Sequence, residues 1–304
     1  KSISGRKFHA DEKCWSIPTA QAITLHALLE DIYAPLADAI LENDGVKQQV
    51  QQSIDRVEIS SAPELNASKM ADIDKALEGK FPEGLDLYPF QKVAVAFAEM
   101  SEGRCLIGDE MGIGKTISAI GYAALHPEAR PAVVVCPANV KYNWRKELLK
   151  WLPNEKVTVV SGVNDMKAYH VKQIAIGEGA SEEQAATRKS SIEYLESKGI
   201  SISTYIPDAD FIVINYDLMA KYQDALVAKC PKMTILDESH YIKNSGSKDK
   251  PVQRTQATLH LCQYSPKVIA LSGTAISSRP KEFFNTLNLM RPSLFPSFWD
   301  FAMR

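Results

Sequence analysis

An α/β fold built on a parallel sheet is what the sequence predicts, from three observations. Short β-rich apolar runs recur after Phe81, at residues 105–107, 133–136, 157–160, 211–214, 234–236 and 268–271. Amphipathic helical stretches alternate with them, as the crossover connections of a parallel sheet require. A glycine-rich segment, residues 108–116, lies directly between one such run and the next helix, at the strand end where an open α/β sheet places its chemistry.

The elements follow in order. The first eighteen residues read as a hairpin: a run through Arg6-Lys7-Phe8, a polar turn at Ala10-Asp11-Glu12, then Cys14-Trp15-Ser16-Ile17. Pro18-Thr19 closes it, with Thr19 as N-cap of the helical stretch that follows. Residues 20–60 carry helix-like apolar spacing interrupted by Pro35 and Gly45. Together, residues 1–62 form a small α+β module, and the polar segment 63–80 is expected to be a linker. Residues 81–304 form the α/β lobe. Within it, about residues 164–207, a charged stretch containing Gly177, Gly179 and Gly199 reads as a surface insertion.

Composition narrows the functional classes. The 304 residues hold 35 Lys+Arg against 37 Asp+Glu, with a pI near 6.4, so any nucleic-acid contact must come from a local patch. No apolar run approaches the roughly eighteen residues of a membrane span. The start, Lys1-Ser2-Ile3-Ser4, has no signal-peptide pattern and no initiator Met, as we expect of a trimmed chain. Cysteines 14, 105, 136, 230 and 262 include no C-x-x-C pair. Such an odd, scattered set fits buried thiols in a reducing, intracellular compartment rather than a zinc site.

The strongest chemical signal is Gly108-Asp109-Glu110-Met111-Gly112-Ile113-Gly114-Lys115-Thr116. Glycines 112 and 114 let backbone N–H groups turn inward around phosphate oxygens. The helix opening near Lys115 adds its positive end. Lys115 reaches the β/γ-phosphates and the Thr116 hydroxyl holds Mg²⁺ in this reading. Asp109 occupies the first glycine slot of the strict G-x-x-x-x-G-K-[ST] pattern. The second signal is Met233-Thr234-Ile235-Leu236-Asp237-Glu238-Ser239-His240, a strand delivering two carboxylates at its end. Asp237 would hold Mg²⁺, directly or through water, and Glu238 would orient the water that attacks the γ-phosphate. Both signals together read as nucleotide hydrolysis.

With these motifs in place the chain resembles the Swi/Snf branch of the superfamily-two helicase-like ATPases, over nearly all of residues 81–304. Leu87-Tyr88-Pro89-Phe90-Gln91 is similar to the adenine-reading segment, with Gln91 as the amide that bonds the base. Asp109, Met111, Gly112, Ile113, Gly114, Lys115 and Thr116 match the family's D-E-M-G-x-G-K-T, which accounts for the missing first glycine. Asp237 to His240 resembles the D-E-[SA]-H box, extended by Tyr241-Ile242-Lys243-Asn244. Leu271-Ser272-Gly273-Thr274-Ala275 is similar to the motif that couples nucleotide to DNA, with Ala275 in place of the usual Pro. Ser278-Arg279-Pro280-Lys281-Glu282-Phe283 and Leu294-Phe295-Pro296 follow the annealing-helicase form. The resemblance implies a RecA-like parallel sheet with flanking helices, the first lobe of a P-loop NTPase motor. His240 could coordinate a metal, but fits better as a hydrogen-bonding link from Asp237-Glu238 to the Ser272–Thr274 loop.

The same resemblance implies a DNA track. Pro137, Asn139 and Lys141, at a strand end that opens a helix, are similar to the backbone-touching motif, and Asn215 with Tyr216 to another track segment. Val140, Trp144, Leu148 and Leu152 fall at four-residue spacing, which favours Trp144 as helix core over a base-stacking platform. The N-terminal hairpin resembles the HARP-type substrate-recognition module. Arg6 and Lys7 would touch phosphate there, while Phe8 and Trp15 would either stack on bases or form the module's own core. The partner expected is therefore DNA, double-stranded, single-stranded or forked, bound without strong sequence preference and sensitively to salt. The resemblance also implies a second RecA-like lobe bearing an arginine finger, worth about 10³- to 10⁵-fold in rate. We expect that lobe elsewhere in the intact chain, and slow ATP turnover without it. Two other readings stay open: a nucleotide-gated DNA-binding module, and a restriction-type translocase subunit. Location is expected to be the cytoplasm of a bacterial or phage-infected cell, or the nucleus of a eukaryote.

Overall fold

A computed structural model describes residues 7–9, 14–16, 44–61, 65–161, 206–246, 250–273 and 280–302. The chain begins with strands β1 (Lys7–His9) and β2 (Cys14–Ser16), paired antiparallel with Phe8 opposite Trp15. Helices α1 (Asp44–Ser61), α2 (Ala67–Leu77) and α3 (Pro89–Met100) follow. The lobe then alternates: β3 (Arg104–Ile107), α4 (Lys115–Leu125), β4 (Ala132–Cys136), α5 (Lys141–Trp151) and β5 (Val157–Val159). After residues 162–205 come β6 (Phe211–Asn215), α6 (Met219–Ala228), β7 (Met233–Leu236), α7 (Gln253–Tyr264) and β8 (Lys267–Leu271). Helices α8 (Phe284–Met290) and α9 (Phe298–Ala302) end the described chain.

Strands β3 to β8 form one six-stranded sheet in the order β3-β8-β7-β4-β6-β5, and every pairing in it is parallel. All six runs read as strands from sequence are strands here. They are legible because a parallel sheet is covered on both faces, so its strands are apolar throughout rather than alternating. The two-residue period instead divides each strand between two cores. Val134, Cys136, Val213 and Ile235 face the side covered by α3, α4 and α5. Val133, Val135, Ile212 and Ile214 face the side covered by α6, α7 and α8.

The expected linker is not one. Residues 67–77 of the segment 63–80 are helix α2, capped by Asn66, whose side chain accepts from the Lys69 N–H at 2.9 Å. Ile73 and Leu77 are buried in the same core as the sheet. Lys92 of α3 clamps this helix, paired with Asp74 and Asp86 at 2.8 Å each. Helix α1 runs through Gly45 unbroken and joins that core through Ile59, while Arg56 donates to the Met100 carbonyl at 3.0 Å. Ile59, expected in a separate module, thus packs on the lobe, while Ile54 is exposed. Most of the expected insertion lies outside the described residues, but Ile206 is buried in the second core.

Candidate active site

Strand β3 ends at Ile107, and the glycine-rich turn leads to α4 with Gly114 as N-cap at φ 86°, ψ 37°. Gly112 is left-handed too, at φ 88°, so both positions favour a residue without a Cβ. The Gly114 carbonyl accepts from the Ile117 and Ser118 N–H groups at 2.8 and 3.2 Å, starting the helix. Lys115 Nζ donates to the carbonyls of Asp109 and Glu110, both at 2.8 Å. The lysine thus curls under its own loop onto neutral acceptors, which an anionic phosphate can replace with a stronger, charge-assisted bond. Burial pushes the Asp109 carboxyl above its usual range, opposed by the Lys115 charge.

Gln91 braces this turn from α3. It is 4% exposed, its Oε1 accepts from the Tyr88 N–H at 3.0 Å, and its Nε2 donates to the Ile113 carbonyl at 3.3 Å. An amide has two N–H donors and two acceptor lone pairs, so one of each is left over from these two bonds. Tyr88 and Phe90 beside it are exposed and stacked, with ring centroids 5.6 Å apart and planes 10° from parallel.

The two carboxylates lie at the end of β7. Asp237 is held at three points. Its N–H donates to the Val135 carbonyl at 2.8 Å, its carbonyl accepts from the Tyr216 hydroxyl at 2.8 Å, and its Oδ2 accepts from the Trp144 indole N–H at 2.8 Å. Burial raises the Asp237 pKa, the Trp144 hydrogen bond opposes that, and the Glu238 charge adds to it. Glu238 takes a left-handed backbone, φ 50° and ψ 55°, a strained state for a non-glycine residue that persists where surrounding structure enforces it. Glu238 Oε2 stands 3.2 Å from His240 Nδ1. Neither atom has an aligned hydrogen bond although both are shut off from solvent. Polar atoms left in this state fit a site whose remaining partners are water and ligand.

Strand β8 lies between β3 and β7 and carries Ser272 and Gly273 between the phosphate loop and the acids. The Ser272 N–H donates to the Ile107 carbonyl at 3.2 Å. A Cβ on Gly273 would stand 2.7 Å from Met111 Cγ and 3.5 Å from Lys115 Nζ, so this loop packs against the lysine itself. Thr274 lies outside the described residues. Among the described residues no three His, Cys, Asp or Glu gather as a metal cluster. Mg²⁺ needs none, since it keeps waters and takes one or two carboxylates plus phosphate. Thr116 and Asp237 fit that donor set.

The expected DNA contacts divide differently. Asn139 is exposed and Pro137 half-buried. Lys141 is buried, its Nζ donating to the Val160 carbonyl at 3.0 Å, and Asn215 and Tyr216 are 6% and 1% exposed. These three side chains are therefore buried in the lobe, which leaves only backbone groups at their positions to meet DNA. Tyr216 instead supports Asp237. Arg6 lies outside the described residues. Lys7 and Phe8 lie in β1 and Trp15 in β2, all three without a described side chain. Helix α5 does expose Tyr142, Arg145 and Lys146, which sequence reading passed over. Trp144 is core as expected, at 1% exposure, but its bond to Asp237 was missed. The available signal was that a buried indole N–H requires a partner.

Comparison with known proteins places this geometry. A family model described as the SNF2-related domain matches residues 88–304. The SWI/SNF-related matrix-associated actin-dependent regulator of chromatin subfamily A-like protein 1 of Xenopus laevis is 30% identical over 316 aligned positions, covering 100% of this chain and 26% of that protein. The human DNA annealing helicase and endonuclease ZRANB3 is 28% identical over 221, covering 72% and 17%. The chain therefore spans about a quarter or less of the length of these relatives. The Sulfolobus solfataricus SWI2/SNF2 ATPase core in complex with dsDNA shares the fold with a TM-score of 0.53 at 22% identity, over 75% of this chain and 40% of that one.

Proposed function

The chain belongs to the SNF2-related domain family, and from that premise we propose that it is the ATP-binding lobe of a DNA-dependent ATPase that remodels or anneals forked or branched DNA. The observation that carries this reading is that Lys115, opening the helix after β3, and Asp237 and Glu238, following β7, lie at the same end of the sheet on either side of β8, close enough for the Lys115 charge to act on Asp237. Lys115 exchanges the Asp109 and Glu110 carbonyls for phosphate oxygens. Thr116 and Asp237 hold Mg²⁺, which when bound neutralises charge on those oxygens. Glu238 orients the attacking water and accepts its proton, with His240 beside its Oε2. Gly273, packed on Met111 and Lys115, and Ser272 beside it couple the nucleotide to the DNA side. Exposed Asn139 and the backbone around it make the phosphate contacts of the track. The names of the relatives, a chromatin regulator and a DNA annealing helicase, support the remodelling role, and nuclear location if the source is eukaryotic. Among the described residues no helix is long and apolar enough to cross a membrane.

The test measures ATP binding and turnover without DNA, with single strands and with a fork, beside Lys115→Ala. Nucleotide binding lost in the variant is expected, with turnover slow unless a second lobe supplies its arginine. Equal binding by wild type and Lys115→Ala would overturn the reading.

A further inference from the structure

Asp237 is tethered from three elements, and the three tethers differ in what they hold. The Val135 carbonyl and the Tyr216 hydroxyl fix its backbone. Neither restrains rotation of the carboxylate about its side-chain torsions. The Trp144 indole does, by donating to Oδ2 at 2.8 Å. An indole has one donor and no acceptor, so this bond needs an acceptor such as the carboxylate oxygen and cannot be satisfied by a reversed arrangement. Trp144 is itself immobile: it is 1% exposed in the first core, on a helix anchored by Leu148 and Trp151. Its single polar atom is thus held rigidly and aimed at one oxygen of one carboxylate.

We propose that Trp144 is the positioning residue for the metal-binding carboxylate of Asp237, fixing its plane so that the lone pairs not taken by the indole face the cation beside Thr116. The inference rests on Asp237 being that ligand. It gives Trp144 a role that four-residue apolar spacing alone would not assign, because a Phe fills the same core. Outer partners of ligating groups set both orientation and basicity, and losing one typically lowers metal affinity about 10- to 100-fold.

The experiment is calorimetric titration of ADP into the protein, in EDTA and in saturating Mg²⁺, for wild type, Trp144→Phe, and a chain carrying a benzothiophene ring in place of the indole at 144. The benzothiophene keeps the bicyclic shape and removes only the N–H. It decides the question if the Phe variant fails to fold by circular dichroism. Expected is a loss of roughly 10-fold in ADP affinity in Mg²⁺ with affinity in EDTA unchanged. Wild-type affinity of the benzothiophene chain in Mg²⁺ would overturn the proposal, and so would an equal loss with and without Mg²⁺. If wild type itself gains no affinity from Mg²⁺, the assignment of Asp237 as ligand fails first, and the proposal with it.

Discussion

Alanine at Gly114 and at Gly112 should have different costs, although the two residues share a backbone conformation. Their φ angles are 86° and 88°, and adding a Cβ in the left-handed region costs about 1–2 kcal/mol at either. At Gly112 nothing stands within 4 Å of the new Cβ, so that strain is the whole effect. At Gly114 the Cβ would lie 2.5 Å from Gln91 Nε2. The end of a glutamine usually moves aside cheaply, but this one is 4% exposed and bonded at both ends of its amide. Moving it breaks the bonds to Tyr88 and Ile113, each worth about 1 kcal/mol net. Gly114→Ala should therefore destabilise by about 2 kcal/mol more than Gly112→Ala. Urea unfolding followed by circular dichroism reads the gap, and both substitutions repeated in a Gln91→Ala background should close it. Equal destabilisation by the two alanines, or a gap that survives without Gln91, would refute the reasoning.

Two further outcomes follow from groups away from the site. Burial lowers the Lys92 pKa, but the hydrogen bonds and charges of Asp74 and Asp86 outweigh it and raise it above the ordinary 10.5. A raised lysine stabilises fully below its unfolded pKa and loses that contribution as pH climbs through the folded one. The unfolding-midpoint difference between wild type and Lys92→Met should hold steady from neutral pH to about 10.5 and shrink beyond it; shrinkage beginning near neutrality would contradict the pairing. Burial pushes the thiols of Cys105, Cys136 and Cys262 up to about 12, while Cys230 is exposed. In a Cys14→Ser background the native protein should therefore show a single thiol reactive toward Ellman's reagent, and that one should vanish in Cys230→Ser.

The parts legible in the sequence are those where the physics is local along the chain. Val133, Val134 and Val135 read as a buried strand because every position in it is covered. Gly112 and Gly114 read as a turn because their conformation excludes most other residues. What escaped depends on rotation and long-range closure. Motif position placed Lys141 and Tyr216 at strand ends, correctly, yet gave no indication that their polar tips turn inward, to the Val160 and Asp237 carbonyls. Those acceptors come from other strands and are fixed only once the sheet has assembled. Helix α2 was lost for a related reason. Its polar surface outweighs Ile73 and Leu77 in composition, although those two are buried in the core.

The place of β8 has a mechanical consequence. Hydrogen-bonded strands stand about 4.8 Å apart, so β3 and β7, each paired to β8, hold the phosphate loop and the carboxylates in jaws roughly 10 Å wide. Widening that gap would require breaking a parallel ladder, such as the one that joins Cys105 to Ile269 or Ile235 to Ile269. The sheet is therefore a caliper locked at one opening. Any movement that leaves both ladders intact must arise in the loops mounted on the jaws, where Gly273 packs beside Lys115.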